Sequence, residues 1–167
     1  MVDLKFHLGG LTMAREPIPT WCFAVVVVRR GDLFLIVQEC NHGQLWYFPA
    51  GRVSLGETFA EAAHRETLEE AGIPIRIVGV IRVEHSPKPK SARLRVVFLA
   101  EPIDDTPPKN VPDEDSLGAA WVSLKQLSEY RLRGTEVTQL CAYVAAGAPI
   151  YPDNVLQSEG MPYWVSE

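Results

Sequence analysis

The run Gly51-Arg-Val-Ser-Leu-Gly-Glu57, continued by Thr58 to His64 and then by Arg65-Glu66-Thr67-Leu68-Glu69-Glu70-Ala71-Gly72-Ile73, decides how this chain is read. Gly51 to Glu57 holds two glycines and little apolar content, which suits a loop. From Thr58 to Ala71 the strong helix formers alanine, leucine, glutamate and arginine dominate, and Gly72 is a natural C-terminal stop. On a helix turning about 100° per residue, Glu66, Glu69 and Glu70 share an arc of about 100°, with Ala62 beside them. Ala60, Ala63, Thr67 and Ala71 form an adjoining face, small enough to lie close on a sheet. Like charges at these spacings repel by about 0.2–0.5 kcal/mol per pair, and more where water is excluded. Arg65 offsets Glu69 or reaches back to Glu57, but one arginine does not neutralise four acids. The missing positive charge is most simply a divalent cation. Oxygen donors without histidine or cysteine select hard Mg²⁺ or Mn²⁺ over Zn²⁺.

Outward from this stretch, strands and helices interleave. Thr20 to Val28 is a continuous β-branched run, as in a strand buried on both faces. Arg29 to Asp32 makes a turn, Leu33 to Glu39 returns as a second strand, and Cys40 to Gln44 is loop. Trp46-Tyr-Phe-Pro49 is a short strand. Beyond the helix, Ile75 to Val83 and Arg93 to Ala100 are strands joined by a loop over His85 to Ser91. Pro102 to Ser116 is a long acidic loop, Ala119 to Val122 a short strand, and Ser123 caps a helix over Leu124 to Tyr130. Glu136 to Ala146 is a further helix. The expected organisation is one α/β domain over residues 1–167, with a core at about 20–146 and an irregular tail over 147–167.

Composition narrows the function classes. The 167 residues are 47% hydrophobic and 22% charged, which suits a globular fold rather than disorder. A net charge of −5 gives no electrostatic attraction to a nucleic-acid polymer. The longest apolar stretch, Cys22 to Val28, falls far short of the roughly 20 residues of a membrane helix, so no membrane is expected. Three scattered cysteines without a CxxC read as reduced thiols of a cytoplasmic protein, Cys22 and Cys141 as core filler and Cys40 in a polar turn.

Gly51, Glu57, Arg65, Glu66, Glu69, Glu70 and Gly72, with Ile73 closing, match G-x5-E-x7-R-E-U-x-E-E-x-G-U, where U is aliphatic. That stretch resembles the Nudix box, departing only at Thr67, which stands at the first U. Seven charged or glycine matches at fixed spacing arise by chance on the order of once in 10⁸ start points. The approach Trp46 to Gly51 and the later Ala119-Ala-Trp121-Val-Ser-Leu124 are also similar to that family, over roughly residues 20–146.

The resemblance implies an α/β/α sandwich around a mixed β-sheet and hydrolysis of nucleoside diphosphates linked to another group. Glu66, Glu69 and Glu70 would be the principal metal ligands, with Glu57 a further ligand or the ion-pair partner of Arg65. Arg65 would orient the carboxylates, Gly51 would let the loop approach the metal, and Gly72 would end the helix. The general base would come from the box glutamates or from Asp115, in the loop before Trp121. Arg52 is a candidate phosphate donor, as is one of Lys88, Lys90, Arg93 and Arg95; Trp46 and Tyr47 are candidates to stack a base. The expected activity is a Mg²⁺-dependent (or Mn²⁺-dependent) pyrophosphohydrolase for a small nucleotide, including oxidised di- or triphosphates. An ADP-ribose or nucleotide-sugar pyrophosphatase is the alternative within enzymes, and a non-catalytic nucleotide sensor the alternative outside them. The apolar first strand and aromatic tail are compatible with a homodimer without requiring one.

Overall fold

The computed structural model describes residues 17–163; the lead-in at 1–16 and Trp164 of the tail lie outside them. The elements run β1 (Thr20–Arg30), β2 (Leu33–Glu39), β3 (Trp46–Tyr47), β4 (Ala50–Arg52), α1 (Phe59–Ala71), β5 (Ile75–Lys88), β6 (Ser91–Pro102), β7 (Ser116–Ser123) and α2 (Glu136–Ala145). Strand β1 is the axis. It runs parallel to β6 from Thr20↔Ala92 to Val28↔Ala100, and β6 pairs antiparallel with β5. On its other side β1 meets β2 only at Arg29 and Arg30, while Phe23, Ala24 and Val25 pair with β4. β2 also carries β3 and β7, so the sheet is mixed and splits open where β4 parts β1 from β2.

Residues Ala24 to Val28 are all buried because each face of β1 meets its own core. Ala24, Val26 and Val28 join Leu35, Val37, Val96 and Phe98 beneath α1, whose Ala62, Ala63 and Ala71 pack there. Val25 and Val27 join Phe34, Ile36 and Val97 on the opposite side, against Val137, Leu140, Cys141 and Val144 of α2. Helix, sheet and helix thus form three layers, and each buried valine contributes roughly 1.5–3 kcal/mol over an exposed one.

Several expectations shift by local physics. Ala60 is exposed and Ala62 takes its place on the packing face of α1. The loop expected over His85 to Ser91 is mostly strand, β5 and β6 running on to a turn at Pro89 and Lys90. Ala50 to Arg52 is a strand rather than loop, since the partner β1 supplies its hydrogen bonds. The helix expected over Leu124 to Tyr130 is a single 3₁₀ turn at Gln126–Glu129, and Gln126 Oε1 accepts from both the N–H and the hydroxyl of Ser123. The tail is not wholly irregular, since Tyr151 bridges Val80, where a Cβ on Gly79 would strike its carbonyl. Cys141 is buried, Cys22 and Cys40 are half-buried, and all three are free thiols. Among the described residues no helix is long and apolar enough to cross a membrane.

Candidate active site

Helix α1 is framed by strong local signals. Thr58 and Glu61 form a reciprocal capping box, and Gly72 closes the helix in the left-handed region at φ 70°, donating its N–H to Leu68 O. Thr67 is fully buried, its hydroxyl donating to Ala63 O at 2.8 Å, which explains why a β-branched polar residue replaces an aliphatic one. The opposite face carries the acids. Arg65 spends every donor of its guanidinium there: Nε and Nη2 on Glu57 (2.7 and 2.9 Å), Nη1 on Glu66 (2.7 Å) and Glu69 (3.0 Å), and Nη2 on the Arg52 carbonyl (3.0 Å). A Cβ at Gly51 would overlap the Glu66 carboxylate, so a larger residue here would push that carboxylate from its place beside Arg65.

The four acids therefore divide. Arg65 and the Ser54 N–H hold Glu57 down to about pKa 2, and Glu57 has both oxygens occupied. Burial pushes the Glu66 carboxyl up, against the pull of Arg65. Glu70 turns away from Arg65. Its Oε2 accepts the Ala50 N–H at 2.9 Å, and burial, then the charges of Glu66, Glu39 and Asp115, push its pKa up to about 8. Among the described residues, no three His, Cys, Asp or Glu side chains converge as they stand on one metal position.

Glu70 opens instead into a cavity of about 500 Å³ at the split in the sheet. Glu39 and Asp115 line it too. The sequence offers no spacing signal for Glu39, an acid ending an apolar strand, yet a register shift in the β2–β7 pairing falls between Gln38 and Glu39. Its Oε1 is held by Arg133 (2.5 Å) and lies 3.4 Å from His42 Nδ1, while its Oε2 is buried with no hydrogen-bond partner among the described residues. Asp115 is exposed on a loop anchored to the end of α1: Lys109 Nζ donates to Glu69 O, and Ser116 Oγ to Glu70 O at 2.5 Å. Asp113 braces the turn by accepting the N–H groups of Asp115 and Ser116.

Basic and aromatic side chains line the cavity as well, among them Arg52, Lys88 and Arg93, with Trp21 and Phe23. Trp46 is not among them; it is half-buried, edge-on to Tyr130 at 5.0 Å. Tyr47 does line the cavity, but its hydroxyl donates to Glu136 at 2.5 Å, and burial followed by Glu136 pushes its pKa up. Arg95 is locked between Glu84 and Glu136 and does not line the cavity.

A family model described as the NUDIX domain matches residues 19–141. The chain is 36% identical over 105 residues to the 8-oxo-dGDP phosphatase NUDT18 of Mus musculus, covering 60% of this chain and 32% of that one. It is 36% identical over 103 residues to phosphatase NudJ of Escherichia coli O1:K1 / APEC, covering 60% and 67%. A solved NUDIX hydrolase from Nitrosomonas europaea superposes with TM-score 0.70 at 26% identity, over 84% of this chain and 97% of that chain. The chain spans about a third of the length of several curated relatives it matches, the mouse protein among them. Because the matched stretch begins at the foot of β1, takes in every strand and the carboxylate helix, and ends within α2, the chain belongs to the NUDIX family.

Proposed function

We propose that this chain hydrolyses a phosphoanhydride bond in a nucleoside-diphosphate-linked small molecule, using Mg²⁺ or Mn²⁺ held by Glu66, Glu69 and Glu70. The observation that carries this reading is Glu70: a half-buried carboxyl, raised to about pKa 8, facing the acids Glu39 and Asp115 with no cationic side chain among the described residues bonded to it. Burying like charges together is costly unless a cation joins them. The donors fit a hard ion, being all oxygen, and the unpartnered Oε2 of Glu39 adds one more to the cavity wall. When bound, such an ion polarises phosphoryl oxygens and makes water a better nucleophile.

The chain's own residues divide the remaining work. Arg65 fixes the rotamers of Glu66 and Glu69, and Glu57 anchors Arg65 rather than ligating. Gly51 leaves room for the Glu66 carboxylate, and Gly72 terminates the helix so that the loop bearing Asp115 folds back over it. Asp115, exposed at the cavity, takes the proton of the attacking water. Lys88 and Arg93 give the cavity a positive wall for an anionic substrate, and Arg52 lines it beside Trp21. Free thiols throughout suit a reducing, cytoplasmic setting.

The test is a substrate panel with product identification: nucleoside triphosphates, 8-oxo-dGDP and other 8-oxo forms, ADP-ribose, nucleotide sugars and dinucleoside polyphosphates. Turnover should require Mg²⁺ or Mn²⁺ and fall by orders of magnitude in the double variant Glu69→Gln/Glu70→Gln. Undiminished turnover in that variant, folded, would remove the assigned ligands.

A further inference from the structure

We propose that Trp21 and Arg52 together form a stacking platform for the nucleobase of the substrate, so that Arg52 meets a base rather than a phosphate. This rests on the cavity being the nucleotide site proposed above. Trp21, Phe23 and Val25 occupy one face of β1 at period two and all line the cavity. Trp21 is 48% exposed, a large aromatic surface left open beside buried strand. In the sheet Phe23 pairs with Arg52 and Trp21 with Arg93. Each guanidinium leans diagonally onto the other's ring partner: Arg52 Cζ lies 4.3 Å from the Trp21 ring centroid, and Arg93 Cζ 4.4 Å from that of Phe23.

These two arginines differ from those that hold the fold. Arg65, Arg76, Arg95 and Arg133 each bond a carboxylate. Among the described residues neither Arg52 nor Arg93 donates from its guanidinium to any acceptor, and Arg93 Nε is buried without one. A guanidinium within cation–π distance of an exposed indole offers, with that ring, a surface on which a planar base can stack. Phosphate binds the guanidinium edge in its own plane and needs no ring beneath it.

The spacing agrees. Val25 pairs with Ala50, whose N–H binds Glu70, and Trp21 stands four residues further down β1. At about 3.3 Å per residue that is about 13 Å, a span that one nucleotide bridges with its phosphates at Glu70 and its base at Trp21. Stacking is tolerant of base identity, so this platform separates nucleotides from bare phosphates, not one base from another.

The test compares two non-hydrolysable probes by calorimetry in Mg²⁺: the α,β-methylene analogue of GDP, and methylene diphosphonate, which lacks the nucleoside. Wild type should bind the nucleotide at least tenfold more tightly. Trp21→Leu and Arg52→Lys should each weaken the nucleotide about tenfold and leave the diphosphonate within about twofold, while Trp21→Phe should restore part of the loss. Parallel weakening of both probes by Arg52→Lys would assign Arg52 to phosphate and overturn the platform. So would equal wild-type affinity for the two probes, or full nucleotide affinity in Arg52→Lys. A wild type that shows the nucleoside preference yet hydrolyses nothing in the panel would sink the proposed function and leave the platform standing.

Discussion

Two arginine clusters hold this molecule, and their charge balance differs. Around Arg95, a side chain only 16% exposed, the acids Glu84 and Glu136 are matched by Arg95 and by Arg82, 3.6 Å from Glu84. The Tyr47 hydroxyl completes that cluster, which straps α2 to the sheet. Around Arg65 one guanidinium serves three carboxylates, and Glu70 stands behind them without a cation among the described residues. The first cluster satisfies itself and needs nothing from outside. The second gathers more carboxylates than cations among the described residues, an imbalance that fits the divalent ion proposed above.

The sharpest way to break this contrast is to remove each arginine in turn. Arg95→Met leaves half-buried Glu136 without its cation and Glu84 with only Arg82 at 3.6 Å, and should destabilise the fold by about 3–5 kcal/mol in urea titrations. Its activity per folded molecule should change far less. Arg65→Met should shift the balance: a smaller loss of stability, from the broken Glu57 pair, with kcat/KM lowered roughly 10–100-fold as Glu66 and Glu69 lose their orientation. Equal effects of both variants on stability would erase the distinction between strut and site.

pH separates the two clusters as well. In metal-free protein the Glu70 carboxyl titrates near 8, against 4.5 in an unfolded chain. Between those values the unfolded chain has released a proton that the folded one keeps, so stability should fall as pH rises from about 4.5 to about 8. Glu57, held down to about 2, contributes the opposite: stability present above 4.5 and lost as pH falls towards 2. Thermal melts in a chelator from pH 5 to 8 should show the Glu70 decline, and saturating Mg²⁺ should flatten it. A melting temperature that does not change across that window would mean Glu70 is ionised throughout.

The carboxylate helix is legible in the amino-acid sequence because its instructions are local. Thr58 and Glu61 cap one end, Gly72 the other, and the i, i+3, i+4 spacing puts three acids on one side wherever the helix lies. The strand β4 is not legible there, since three residues of Ala-Gly-Arg have no strand character until β1 lies beside them. Trp46 and Tyr47 read as base-stacking candidates or as core, and the structure packs both against the core. The exposed ring in the cavity is Trp21, some thirty positions before the carboxylate stretch and brought to it by the β1–β4 pairing.

The boundaries of α1, the acidic ridge, the two-sided burial of β1 and the family follow from residues close together in the chain, where backbone propensity and period act alone. The position of Glu39 in the cavity, the turning of Glu70 away from Arg65 and the pairing of Arg52 with Trp21 belong to the tertiary structure. Each depends on which side chains meet across strands distant in sequence, and on how much water that meeting excludes. Burial and cross-strand register, which no spacing along one chain segment encodes, decide which of several acids and arginines become a site.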